Sequence, residues 1–147
     1  MLILWVAEES RTGIAMILLS SFIFGLIFGS FLNVVIYRLR TRQNIIFGAS
    51  FCPECKTKLI WRDLTPIFSF LWLRGKCRYC QKKISWQYPV VEIISGFLWV
   101  GVFYKFALPA EALAKAGILD FFYYIFIFSS LLVIAVYDFK WRIIPDK

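Results

Sequence analysis

The sequence predicts an α-helical integral membrane protein, with three predicted transmembrane helices and a small cytoplasmic zinc-ribbon-like insertion. Three observations lead there: apolar residues gathered in long blocks, four cysteines in two CxxC pairs, and most of the positive charge lying between the first block and the second. Hydrophobic residues make up 61% of the 147, aromatic residues 20%, and mean hydropathy is +0.72. A soluble domain of this length cannot bury that much apolar surface, so a bilayer is the natural solvent for it.

The first block, Thr12 to Tyr37, carries no charge and is long enough to cross roughly 30 Å of hydrocarbon. A span is predicted over 14–37, preceded by an extracytoplasmic N-terminus at 1–13. A cleaved secretory signal has a basic start and a small-residue cleavage site; here Glu8 and Glu9 precede the block and Arg38, Arg40 and Arg42 follow it. The reading is therefore a retained helix. The second block, Tyr88 to Tyr104, holds one charge, Glu92, and predicts a span over 88–104. The third, Phe121 to Tyr137, holds none and predicts a span over 121–138. Both are near the lower length limit. Trp86, Tyr88 and Tyr104 around the second and Tyr137 and Trp141 after the third are amphipathic rings suited to the two interfaces. A short outer connection, 105–120, joins these spans, and 139–147 forms a cytoplasmic end.

Orientation follows from the basic residues. The segment from Arg38 to Gln87 holds eleven of the seventeen Lys and Arg and only two acids, Glu54 and Asp63, which marks it as cytoplasmic and the N-terminus as outside. The net charge of +8 is thus mostly topology and calls for no nucleic-acid partner. A basic cytoplasmic loop would also be drawn to anionic headgroups.

The insertion, 38–87, contains all four cysteines, as Cys52-Pro-Glu-Cys55 and Cys77-Arg-Tyr-Cys80, with 21 residues between the pairs. Two tight turns of this kind can aim four thiolates at one cation and close a tetrahedral shell. A shift of 25 places lays Cys52 on Cys77, Cys55 on Cys80, Lys58 on Lys83, Leu59 on Ile84 and Trp61 on Trp86. One knuckle is used twice, each copy predicted as a turn followed by a short apolar strand. Disulfides are disfavoured by a reducing cytosol, and a thioredoxin-like redox pair lacks its βαβ surroundings. Unoccupied thiols are the remaining alternative to structural Zn2+ held by Cys52, Cys55, Cys77 and Cys80.

There is no histidine, which removes the usual general base and the Ser-His and Cys-His nucleophile pairs. Carboxylates remain. Glu92 begins the second span, where either helix capping or a functional role accounts for it, and Asp120 begins the third on the outer side, where it suits the helix dipole. Asp138 lies at the closing end of the third helix, which disfavours an anion, so it is either compensated by Lys140 and Arg142 or kept for chemistry. An aspartate there could be half of a two-carboxylate protease, one group ionised and one protonated. Asp146 follows, but Pro145 is expected to end the helix before it.

These residues resemble a known family. Phe28-Gly29-Ser30-Phe31-Leu32-Asn33 running on to Tyr37-Arg38-Leu39, the paired CxxC turns, Leu73-Arg74-Gly75-Lys76-Cys77, and Tyr88-Pro89-Val90-Val91-Glu92 are similar to the type IV prepilin peptidases. The resemblance runs from Gly25 onward through several motifs in order. It implies an intramembrane aspartic endopeptidase in a bacterial cytoplasmic (inner) membrane, serving the type IV pilus or type II secretion. Such enzymes remove the leader of prepilins or pseudopilins after a glycine, and many N-methylate the new terminus with S-adenosylmethionine. The partners so implied are those substrates; the apolar blocks add the lipid bilayer, and self-association of the chain is a further expectation. Asp138 and Asp146 fall on the two acids of the family's D-x7-D stretch, with Asp138 as the first catalytic aspartate. The family's second catalytic aspartate belongs to a Gly-x-Gly-Asp motif that the 147 residues do not contain, so the expectation is an N-terminal portion, inactive alone. The alternative is a non-catalytic, membrane-anchored zinc-binding adaptor, in which the module docks a cytoplasmic partner and Asp138 is a compensated helix-end charge.

Overall fold

The computed structural model describes residues 2–45, 48–107 and 117–141, with side chains over 12–45, 48–105 and 119–141. Among the described residues four helices are seen: α1 (Leu2–Thr41), α2 (Phe68–Trp72), α3 (Gln87–Ala107) and α4 (Gly117–Trp141), with a 3-10 turn at Trp61–Asp63. α1 and α3 pack along each other, and α4 lies mainly against α3.

α1 runs beyond the predicted span at both ends. Arg38 and Arg40 do not stop it; they occupy its last turn, where cations suit the negative end of the dipole. Its seam with α3 is made by small residues. A Cβ added at Gly25 would lie 2.7 Å from the Gly96 Cα, and one at Gly29 would lie 2.7 Å from the Glu92 Cα. The Gly25-x3-Gly29 spacing puts both glycines on one face, so the backbones meet without intervening side chains, as in membrane helix pairs. Ile36, Val91 and Ser95 are the most deeply buried side chains of this seam. Aromatic edges join α4 to α3: Trp99 and Phe103 each meet the Phe121 ring, at 6.2 and 6.1 Å.

Among the described residues two helices are long and apolar enough to cross a bilayer, α1 from Thr12 to Thr41 and α4 from Leu119 to Trp141. α3, expected as the middle span, is 21 residues long and carries Glu92 and Lys105. Asp120 stands in the first turn of α4 and is exposed. Most of the predicted outer connection lies outside the described residues.

The insertion differs from its expectation in one respect. No strand forms among its described residues; each knuckle closes on a single antiparallel bridge, Phe51 with Lys58 and Lys76 with Lys83. The reason is local: one residue pair suffices to close a six-residue turn, after which the chain leaves into the 3-10 turn or into α3.

Candidate metal centre and adjoining cavity

The two knuckles are one structure used twice. In the first, Cys52 N–H donates to the Thr57 carbonyl, Lys56 N–H to Cys52 and Leu59 N–H to Ser50; in the second, Cys77 donates to Lys82, Gln81 to Cys77 and Ile84 to Gly75. Each bond is displaced by the same 25 places as the sequence repeat. Lys56 and Gln81, again corresponding residues, take the left-handed conformation that turns each knuckle, at φ 57° and 58°.

These turns bring together the four cysteines singled out from their spacing. All four sulfurs lie within 4.8 Å of one another, and Cys52 Sγ is 3.9 Å from Cys80 Sγ, with every thiol free of disulfide. Four thiolates about 2.3 Å from a tetrahedral cation stand roughly 3.8 Å apart, so the cluster fits a metal ion. The hydroxyl and then the amide of Thr57 lower the Cys55 thiol to about 6. At Cys77 burial is the largest influence and acts upward, yet the amides of Cys80 and Tyr79 bring the thiol below its ordinary value. Cys80 is pushed up to about 11: the Lys82 amide works downward and is outweighed by burial and the neighbouring thiols. Four thiolates cannot share so small a volume without a cation between them.

The module is tied to the helices by residues whose roles were not legible beforehand. Glu92, 7% exposed, lies beyond the first turn of α3 and does not cap it; its Oε2 accepts the Ile67 N–H at 2.8 Å. Arg38, expected as a topological charge and as part of the motif that carries the resemblance, is buried, and its guanidinium donates to the carbonyls of Asn44, Ile45, Gly48 and Ala49. It shapes the chain where it leaves α1, and nothing in the local sequence separates it from any other arginine after a span. Asn33 Nδ2 donates to the Tyr88 carbonyl at 3.0 Å, while its buried Oδ1 has no partner among the described residues. The Gly25-x3-Gly29 seam did have a readable signal, its small-residue spacing.

Beneath the module lies a cavity of about 400 Å³ that reaches Asn33 and Arg38 of α1, Glu92 of α3, and Lys140 and Trp141 of α4. The Arg40 guanidinium lies 5.8 Å from the Trp141 ring, so the closing ends of α1 and α4 meet at this cavity. Asp138 stands in the last turn of α4, half-buried, two residues before Lys140, and is not among the residues that line the cavity. Asp146 lies outside the described residues.

The family model of the Bacterial Peptidase A24 N-terminal domain matches residues 23–106, more than half of the chain. Among curated proteins, the prepilin leader peptidase/N-methyltransferase of Klebsiella pneumoniae is 40% identical over 131 residues, covering 85% of this chain and 54% of the relative. That of Pectobacterium carotovorum subsp. carotovorum is 39% identical, covering 85% and 49%, and that of Bacillus subtilis is 35% identical, covering 86% and 47%. The chain spans about half the length of the curated relatives it matches. No solved structure matches it. With the repeated cysteine knuckles, the helix pair that carries them and these matches together, the chain belongs to the bacterial A24 peptidase family, that of the prepilin leader peptidases/N-methyltransferases.

Proposed function

We propose that this chain supplies the N-terminal helices and metal module of a prepilin peptidase, an aspartic endopeptidase of the bacterial inner membrane that removes prepilin or pseudopilin leaders after a glycine. In this reading α1, α3 and α4 all span the bilayer, with the N-terminus outside and the module cytoplasmic. α3 is about 31 Å long at 1.5 Å per residue, and α1 shields its Glu92 and its small residues. The observation that supports the reading is the cavity under the module, lined by the ends of α1 and α4 and by Glu92 of α3; Asp138 is two residues before Lys140, which lines it.

Asp138 is one of two carboxylates. Across a bound water, one ionised group takes the proton while its protonated partner polarises the scissile carbonyl; burial and mutual repulsion part the two pKa values enough to allow both roles at one pH. The family pattern places the second carboxylate in a Gly-x-Gly-Asp motif, absent from these 147 residues, which by themselves are therefore expected to leave a prepilin uncut. Cys52, Cys55, Cys77 and Cys80 would hold Zn2+ in a closed four-thiolate shell; such a shell has no open position for water, so it supports structure and not hydrolysis. S-adenosylmethionine is proposed as the methyl source for the N-methyltransferase activity in the relatives' names, and no residue here is assigned to it.

The test is Asp138→Asn in a protein that carries both the Asp138 segment and the Gly-x-Gly-Asp segment. Leader removal should be lost while membrane insertion and metal content stay. Cleavage that persists rejects the assignment.

A further inference from the structure

The chain between the two knuckles does not stand clear of the helices. Ser30 Oγ donates to the Leu64 carbonyl at 3.5 Å, and Glu92 accepts the Ile67 amide at 2.8 Å. Ser30 is well inside the charge-free stretch Thr12–Tyr37 of α1, and Glu92 is in the apolar body of α3. Residues 64–67 therefore reach down to the apolar level of both helices, and α2 begins directly after them.

At that level the segment turns large apolar side chains outward. Trp72 is 85% exposed, Phe68 and Trp61 73%, and Leu71 64%; within α2 only Phe70 is buried, against the Trp86 ring at 4.9 Å. Four such side chains in twelve residues form a patch that water does not favour. Its own charges balance, Arg62 against Asp63, and Arg78 of the second knuckle adjoins them. Arg62 lies over the Trp61 ring at 5.2 Å, and the one acid, Asp63, is taken up by Arg78 Nε at 2.7 Å and by the Tyr79 hydroxyl. A groove of about 410 Å³ runs between Arg62, Arg78, Thr65, Ser69, Phe68 and Trp72. Guanidinium groups and hydroxyls there can meet phosphate oxygens, and the aromatic rings beside them suit the boundary between headgroups and acyl chains.

We propose that Trp61–Trp72 is a membrane-face collar that docks on anionic phospholipid of the same bilayer that α1 and α4 cross. Trp61, Phe68, Leu71 and Trp72 enter the headgroup boundary, and Arg62 contacts lipid phosphates. The collar sets the height of the metal module above the membrane. The inference rests on the membrane-spanning reading of α1 and α4.

The test uses the whole chain in vesicles of phosphatidylcholine, alone or mixed with phosphatidylglycerol, with Trp72→Phe to isolate the emission of Trp72 by difference. That emission should be quenched by lipids brominated next to the headgroup and spared by aqueous iodide. Phosphatidylglycerol should deepen the quenching, and Arg62→Glu should abolish the increase. Quenching by iodide instead of by brominated lipid, by neither, or by brominated lipid with no dependence on lipid charge overturns the collar. Flotation separates the two readings. A chain that floats with the vesicles but fails the quenching test loses only the collar, whereas a chain that does not float loses the spans and the collar together.

Discussion

Glu92 holds the amide of Ile67 across 25 residues of sequence, at 2.8 Å. Ile67 stands at φ 59°, ψ −49°, the centre of a γ-turn closed by the Phe68 N–H on the Pro66 carbonyl. A β-branched residue in that region costs about 1–3 kcal/mol and persists only where its surroundings impose it. The buried carboxylate accepts its amide in that conformation, so the path of the chain into α2 is tied to a residue in α3.

Replacing Glu92 by alanine is therefore expected to destabilise the protein by about 1–3 kcal/mol, since the Ile67 amide loses its acceptor. Glu92→Gln keeps a carbonyl oxygen in place and should retain most of the bond. Hydrogen exchange of residues 67–72 in detergent micelles checks this: fast exchange is expected in the alanine variant alone, and equal protection in both variants would show that the tie is idle.

The four-thiol cluster should bind one zinc per chain, and Cys→Ser at position 52, 55, 77 or 80 should release it. Chelation should loosen residues 50–86 and leave the helical circular dichroism of α1, α3 and α4 intact. Elemental analysis of protein purified under reducing conditions decides the first point, and exchange measurements the second.

At Gly29 a new Cβ would press on the Glu92 backbone at 2.7 Å, and at Gly25 on that of Gly96. Backbone cannot give way as a flexible side chain does, so Gly29→Val should cost at least about 1–3 kcal/mol by parting α1 from α3. Gly101, with nothing within 4 Å of its added Cβ, is the control. Gly101→Ala should be neutral or gain up to about 1 kcal/mol of helix propensity. Denaturant titration in detergent compares the pair.

Asp63 makes the module sensitive to acid. Burial is the largest influence on its carboxyl and acts upward, but Arg78, the Ile60 amide and the Tyr79 hydroxyl outweigh it and hold the group below its ordinary value. The folded value is the lower one, so the stabilisation is complete above the usual carboxylate range near about 4 and is lost as pH falls through the depressed value. Asp63→Asn should abolish this part of the acid dependence, which thermal unfolding followed from about pH 6 to about pH 3 would show.

Much of this protein was readable because its codes are local. Charge-free blocks announce α1 and α4, and the 25-residue repeat announced two like knuckles whose hydrogen bonds keep that displacement one by one. The expected strands did not follow, because the repeat specifies a turn and only a single pair beyond it.

By itself the sequence determined the three long apolar helices, which four side chains can converge on a metal, and to which family the motifs belong. Each depends on spacing within a few residues, or on one short unit repeated. Only the tertiary structure decided that Glu92 serves Ile67 and not its own helix end, that Arg38 organises the loop leaving α1, and that the aromatic segment 61–72 lies against the apolar part of the helices. These are hydrogen bonds made when a long loop folds back on the helices it connects. The donors and acceptors are common ones, and no local pattern distinguishes the pair that meets from those that do not.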